Sequence, residues 1–109
     1  MSVVKINAIT VPAGRGVELE ARFGSRSREV ENMEGFEGFE LLRPVEGEDR
    51  YFVYTRWRSE EDFQRWVNSE EFTRGHARRE QDGPVATHAQ LLSFQVVEWP
   101  DAASEKEAV

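Results

Sequence analysis

Residues 50–58, Arg-Tyr-Phe-Val-Tyr-Thr-Arg-Trp-Arg, constrain the fold more than any other run in the chain. They alternate with period two, setting Tyr51, Val53, Thr55 and Trp57 on one face and Phe52, Tyr54, Arg56 and Arg58 on the other, which is the pattern of a strand. Without any intervening loop the run meets Ser59, a helix cap with Asp62 three residues on, and the period changes there to that of a helix. A strand with large side chains on both faces has to lie in a sheet that is covered on both sides.

The remaining segments fit around this one. Residues 3–11 form a strand rich in β-branched side chains, with Val3, Lys5, Asn7 and Ile9 on one side and Val4, Ile6, Ala8 and Thr10 on the other. An amide at position 7, on the side of Val3 and Ile9, needs hydrogen-bond partners or a ligand, or else caps an edge. A turn at 12–16 leads into a helix at 17–32 with the stripe Leu19, Phe23, Arg26, Val30. Gly35 ends the connection, residues 36–44 form a second strand, and a hairpin turn at 45–49 leads to the run described above. After the helix begun at Ser59, a second cap at Ser69 with Glu70 and Glu71 starts another helix. A polar loop at 77–84 and a last strand at 88–99 complete the order.

Strand, helix, strand, strand, helix, strand predicts an α+β, ferredoxin-like βαββαβ fold with an antiparallel sheet. A chain of 109 residues makes one domain, taken as 1–99, with 100–109 a disordered acidic tail. The helices cover one sheet face, and a homodimer packing sheet against sheet would cover the other.

Composition narrows the chemistry. The chain has no cysteine, which excludes disulfides, thiolate nucleophiles, iron–sulfur clusters and thiolate-ligated haem. Two histidines cannot assemble the usual zinc site, and His88 starts a strand, where a surface role is expected. There is neither a Gly-x-Ser-x-Gly turn nor a Gly-rich phosphate loop. A formal charge of −7 argues against nucleic acid as partner, although arginines cluster at 22, 26 and 28 and again at 74, 78 and 79. The N-terminus has no targeting pattern and no segment is long enough to span a bilayer, so a cytoplasmic protein without a membrane partner is expected.

The chemistry concentrates in residues 63–76. Phe63, Trp66 and Val67 share one helix face, and Phe72 and His76 share the next. A single imidazole, a nearby tryptophan and a strand amide around an apolar pocket suit a haem, whose porphyrin supplies four of the iron's ligands. The same set suits an apolar aromatic substrate held without metal. It also suits a plain core in which Trp66 is packing and His76 a satisfied helix-end residue. Composition and spacing do not choose among these.

Val4-Lys5-Ile6-Asn7-Ala8-Ile9, Glu31-Asn32, Gly35-Phe36-Glu37-Gly38-Phe39, Leu41-Leu42-Arg43-Pro44, Tyr51-Phe52-Val53, Phe63-Gln64-Arg65-Trp66 and His76 together resemble the IsdG/MhuD-type haem-degrading monooxygenases of the antibiotic biosynthesis monooxygenase superfamily. The likeness runs over nearly the whole chain. It implies a dimeric β-barrel and an enzyme that takes haem as both substrate and cofactor. With O2 and an external electron donor, such an enzyme opens the ring and frees iron. It further implies His76 as axial iron ligand, Asn7 on the opposite side directed toward iron-bound dioxygen, and Trp66 pressing the porphyrin out of plane. Phe23, Val53 and Phe63 match pocket-lining positions, and Arg26 reaches toward the propionates. The alternatives are a cofactor-free monooxygenase of a phenolic or quinol substrate and a non-catalytic haem carrier. The second cap at Ser69 gains a purpose, because at about 100° per residue an unbroken helix would aim Trp66 and His76 in different directions.

Overall fold

The computed structural model describes residues 1–26, 28–69, 72 and 88–99, with the backbone alone for 25, 26, 28 and 29. Its elements are β1 (Val3–Thr10), α1 (Gly16–Arg26), α2 (Arg28–Glu31), β2 (Phe36–Leu42), β3 (Tyr51–Trp57), α3 (Glu60–Val67) and β4 (His88–Gln95). The four strands form one antiparallel sheet in the order β2-β3-β1-β4. This is the ferredoxin-like arrangement expected from the chain order.

The expected strand bounds need correction. The helix expected at 17–32 is described as α1 and α2, which lie on either side of residue 27. Each strand is shorter than its apolar pattern: β2 stops at Leu42 and β4 at Gln95, because pairing with the neighbouring strand sets the ends. The sheet of one chain is open, with β2 and β4 at its edges.

The helix-facing side of the sheet holds the core. Trp57 is 0% exposed and packs with Val3, Val30 and Phe63, while Leu19 and Tyr51 form a second cluster with Val11, Phe23 and Leu41 around them. A bulge between Phe36 and Gly38 in β2 turns Phe36 to the same face as Phe39 and Leu41, which strict alternation would forbid. Phe36 then meets Trp57 edge-on at 5.6 Å. The opposite face, with Ile6, Ala8, Phe52, Tyr54, Leu92 and Phe94 across three strands, has no helix over it among the described residues.

The first turn of α3 is fixed with unusual redundancy. Ser59 Oγ accepts from the Asp62 backbone N–H at 3.2 Å and donates to the Asp62 carboxylate at 2.8 Å. Asp62, only 1% exposed, also accepts from Arg58 at 3.0 and 3.1 Å and from Arg65 at 2.7 Å. Arg58, and after it Ser59, hold its carboxyl down at about 2. At the far end Ser69 Oγ donates to the Trp66 carbonyl at 2.6 Å and accepts from the Phe72 N–H at 3.2 Å. One serine thus ends one helix and caps the next turn, as the sequence implied.

Candidate active site

The floor of the site is a row of side chains running across all four strands. The register sets Leu41 opposite Val53, Val53 opposite Asn7, and Asn7 opposite Leu91, so the four project from the helix-facing side together. Three are aliphatic. Asn7 is half-buried, and among the described residues its carboxamide has no hydrogen-bond partner. It is not sealed in the core, since no buried side-chain N or O atom there lacks a partner. An amide in that position is free to pair with something outside the protein.

The walls come from the helices. On α3, Phe63 is buried with its ring 6.0 Å from that of Trp57. Trp66 stacks on Trp57 at 6.4 Å and 26° and meets Phe72 edge-on at 5.5 Å, leaving the half-buried indole with part of its surface uncommitted. From α1, Phe23 lies 6.1 Å from Phe39, which joins the two core clusters. Asn7 and Val53 are therefore direct neighbours, Phe63 and Trp66 stand together on α3, and Phe23 reaches the group through Phe39 and Leu41.

Arg26 is the last residue of α1. His76 lies outside the described residues, as do Glu70, Glu71, Arg74, Arg78 and Arg79, the loop at 77–84 and the tail at 100–109. His88 begins β4 and is exposed, in keeping with its expected surface role. Among the described residues no three His, Cys, Asp or Glu side chains are placed to hold a bare metal ion.

Two residues of the site escaped sequence reasoning. Leu91 is 55% exposed on the row beside Asn7, and alternation alone gives a strand's faces but not which residues it meets. Lys5 lies in the adjoining row, Phe39, Thr55, Lys5 and Ser93, with its ammonium 4.9 Å from the centre of the Phe63 ring. Its place two residues before Asn7 on the same face was the signal available.

Charge at the outer end of α1 is tied to β3. Glu20 accepts from Arg43 and from the Tyr51 hydroxyl, the latter at 2.6 Å. Arg43, then Tyr51, hold its carboxyl down at about 2, and Glu20 in turn pushes the Tyr51 phenol up.

A family model described as antibiotic biosynthesis monooxygenase matches residues 2–78. The chain belongs to this family. A haem oxygenase (mycobilin-producing) of Mycobacterium tuberculosis is 59% identical over 97 residues, covering 89% of this chain and 90% of the relative. A haem oxygenase (staphylobilin-producing) of Staphylococcus epidermidis is 36% identical, covering 75% of this chain and 82% of the relative. Among solved structures, the haem-degrader MhuD of M. tuberculosis with two haems in its active site superposes with a TM-score of 0.76 at 54% identity, over 91% of this chain and 99% of that one. An antibiotic biosynthesis monooxygenase-like protein of Bordetella bronchiseptica gives 0.73 at 22% identity, over 89% of this chain and 98% of that one, a likeness of fold alone. Within the antibiotic biosynthesis monooxygenase family, then, this chain stands beside haem-degrading members.

Proposed function

We propose that the protein is a haem-degrading monooxygenase: it binds haem as substrate and, with dioxygen and electrons from an external reductant, opens the macrocycle and releases iron. The observation that carries this reading is the Asn7 carboxamide, unpartnered among the described residues in an aliphatic row, on the sheet face against which Phe63 and Trp66 pack. The 59% identity to a mycobilin-producing haem oxygenase supports it. Iron enters and leaves with the substrate, so no separate iron site is invoked.

The residues present suit a flat apolar ring with one polar centre. Val53, Phe23 and Phe63 would provide contact area, and Asn7 would offer an N–H donor to negative charge developing on oxygen. When bound, haem supplies the dioxygen and electron chemistry itself. In this reading His76 would supply an imidazole to the iron, Trp66 would pack against the ring, and Arg26 at the end of α1 would pair with a propionate.

The uncovered sheet face supports a homodimer in which the two sheets pack into a barrel. Phe94 is 51% exposed and Leu42 41%, and apolar side chains continue between them, a patch that a second copy would bury. Among the described residues no helix is long and apolar enough to cross a membrane.

Adding haem to the purified protein tests the reading. A Soret shift that is lost in His76→Ala, followed under air and reductant by loss of the band and release of ferrous iron, is the expected result. An unchanged spectrum would favour a cofactor-free oxygenase, and a stable complex a carrier.

A further inference from the structure

Lys5 is a buried cation that none of the roles assigned above uses. Its side chain is 8% exposed, and it stands one row from Asn7 on the same face of β1. An ammonium has three N–H donors. Here Nζ lies 2.6 Å from Glu60 Oε1 on α3 and 3.1 Å from Ser93 Oγ on β4. The third direction is taken by the face of Phe63 at 4.9 Å. One side chain therefore links β1, β4 and the first turn of α3.

Stability does not require a charge at this position. Desolvating an ion pair offsets much of its attraction, and an apolar side chain of similar volume is often as stable or more so. A methionine would fill the space but would tolerate several poses of α3, because dispersion contacts have little direction. The ammonium adds direction. It fixes Glu60, the first residue of α3, and the ring of Phe63 one turn later, and Trp66 follows Phe63 on the same side of that helix. The carboxylate responds accordingly: Glu60 is held below its ordinary range chiefly by Lys5, then by Gln64.

We propose that Lys5 is a positioning residue of the pocket, its ammonium setting the pose of α3, and so of Phe63 and Trp66, relative to Asn7 through Glu60 and the Phe63 ring. Its consequence for turnover rests on the haem reading of the site. Lys5 does not touch the substrate. It determines where the walls that do so stand.

Two substitutions separate this from general packing. Lys5→Met removes the charge at nearly constant volume, and Glu60→Gln removes the charge from a half-exposed partner with little risk to folding. The first readout needs no haem: in the ligand-free protein the Phe63 ring shifts the Lys5 ε-methylene proton resonance upfield, and Glu60→Gln moves it back toward its random-coil value. The second readout splits haem Kd from the rate of Soret loss under air with reductant.

The expected result is a Kd within about threefold of wild type and a rate lowered about tenfold in Lys5→Met, and severalfold in Glu60→Gln. The double variant should be no slower than Lys5→Met, since both changes remove one contact. An unchanged rate in folded Lys5→Met, additive losses in the double variant, or an unmoved ε-methylene resonance in Glu60→Gln would each overturn the proposal. If Lys5→Met does not fold, Glu60→Gln decides alone on both readouts. A wild-type protein that takes up no haem removes the haem reading, and the ε-methylene resonance then decides whether Lys5 sets α3.

Discussion

The carboxyl group of Asp62 occupies the place where a side chain on Gly35 would begin. A Cβ built on Gly35 would overlap the Asp62 carboxyl carbon, and Gly35 has φ +82°, a conformation that favours glycine. The backbone there is committed too, because the Gly35 carbonyl accepts from the Arg58 N–H at 2.7 Å. This contact seats α3 against the start of β2, and α3 carries Phe63 and Trp66.

Gly35→Ala should therefore cost far more than an ordinary loop substitution. Left-handed strain on a non-glycine residue costs on the order of 1 kcal/mol, and displacing a hydrogen-bonded buried carboxylate adds to it, so a loss of roughly 3 kcal/mol is expected. Urea unfolding checks this. A loss below about 0.5 kcal/mol, the scale of a neutral surface change, would mean that the Asp62 cradle can move aside.

The same carboxylate sets an acid limit. Its folded pKa, about 2, lies below the ordinary aspartate value of 3.8. A depressed pKa gives stability that is present above the unfolded value and is lost as pH falls through the folded one. Wild-type stability should thus decline between pH 4 and 2 more steeply than that of Asp62→Asn. Parallel urea midpoints for the two proteins across that window would show that Asp62 contributes nothing there.

Some of this was legible in the sequence and some was not. Ser59 and Ser69 announced their caps because capping is local and side-chain oxygens at those positions have one job. The faces of β1 and β3 followed from alternation, which placed Asn7 beside Ile9 and Val53 beside Tyr51. That Asn7 and Val53 are direct cross-strand partners, and that Leu91 adjoins them, depends on register, which pairing between distant segments decides. The bulge near Phe36 was hidden for the same reason. Alternation placed Lys5 on the side of Val3 and Asn7, but nothing local shows that Glu60, fifty-five residues away, would meet its ammonium.

Trp66 makes a separable contribution. On the proposed reading its stack on buried Trp57 limits how far it could retreat from a bound haem, so Trp66→Phe should keep haem while reducing contact with the ring. Haem Kd should stay within about threefold of wild type and the rate of Soret loss fall roughly tenfold, about 1.4 kcal/mol of activation free energy. An equal rate would rule out steric distortion by the indole.

The open sheet face gives a test of assembly. Phe94, 51% exposed and opposite Val4 in the register, lies where two sheets would meet. Phe94→Lys should shift the species seen by analytical ultracentrifugation from dimer to monomer, since one unpaired buried ammonium costs several kcal/mol in an apolar interface. A dimer that survives this change would place the interface elsewhere.

Asn7 supplies the most direct test of the site. Its carboxamide is unpartnered among the described residues, so removing it breaks no internal hydrogen bond there, and Asn7→Ala should fold with stability within about 1 kcal/mol of wild type. The neighbours in its row, Val53 and Leu91, remain to hold an apolar ring, so haem uptake should persist. Turnover should not. A donor aimed at developing negative charge typically contributes on the order of 100-fold in rate, and Asn7→Ala should slow haem loss by about that factor. Asn7→Asp should be slow as well, because its carboxylate cannot donate and repels charge forming beside it. Full activity in both variants, with haem bound, would assign the amide to shape rather than chemistry and return the search for the donor to the other polar groups facing the pocket.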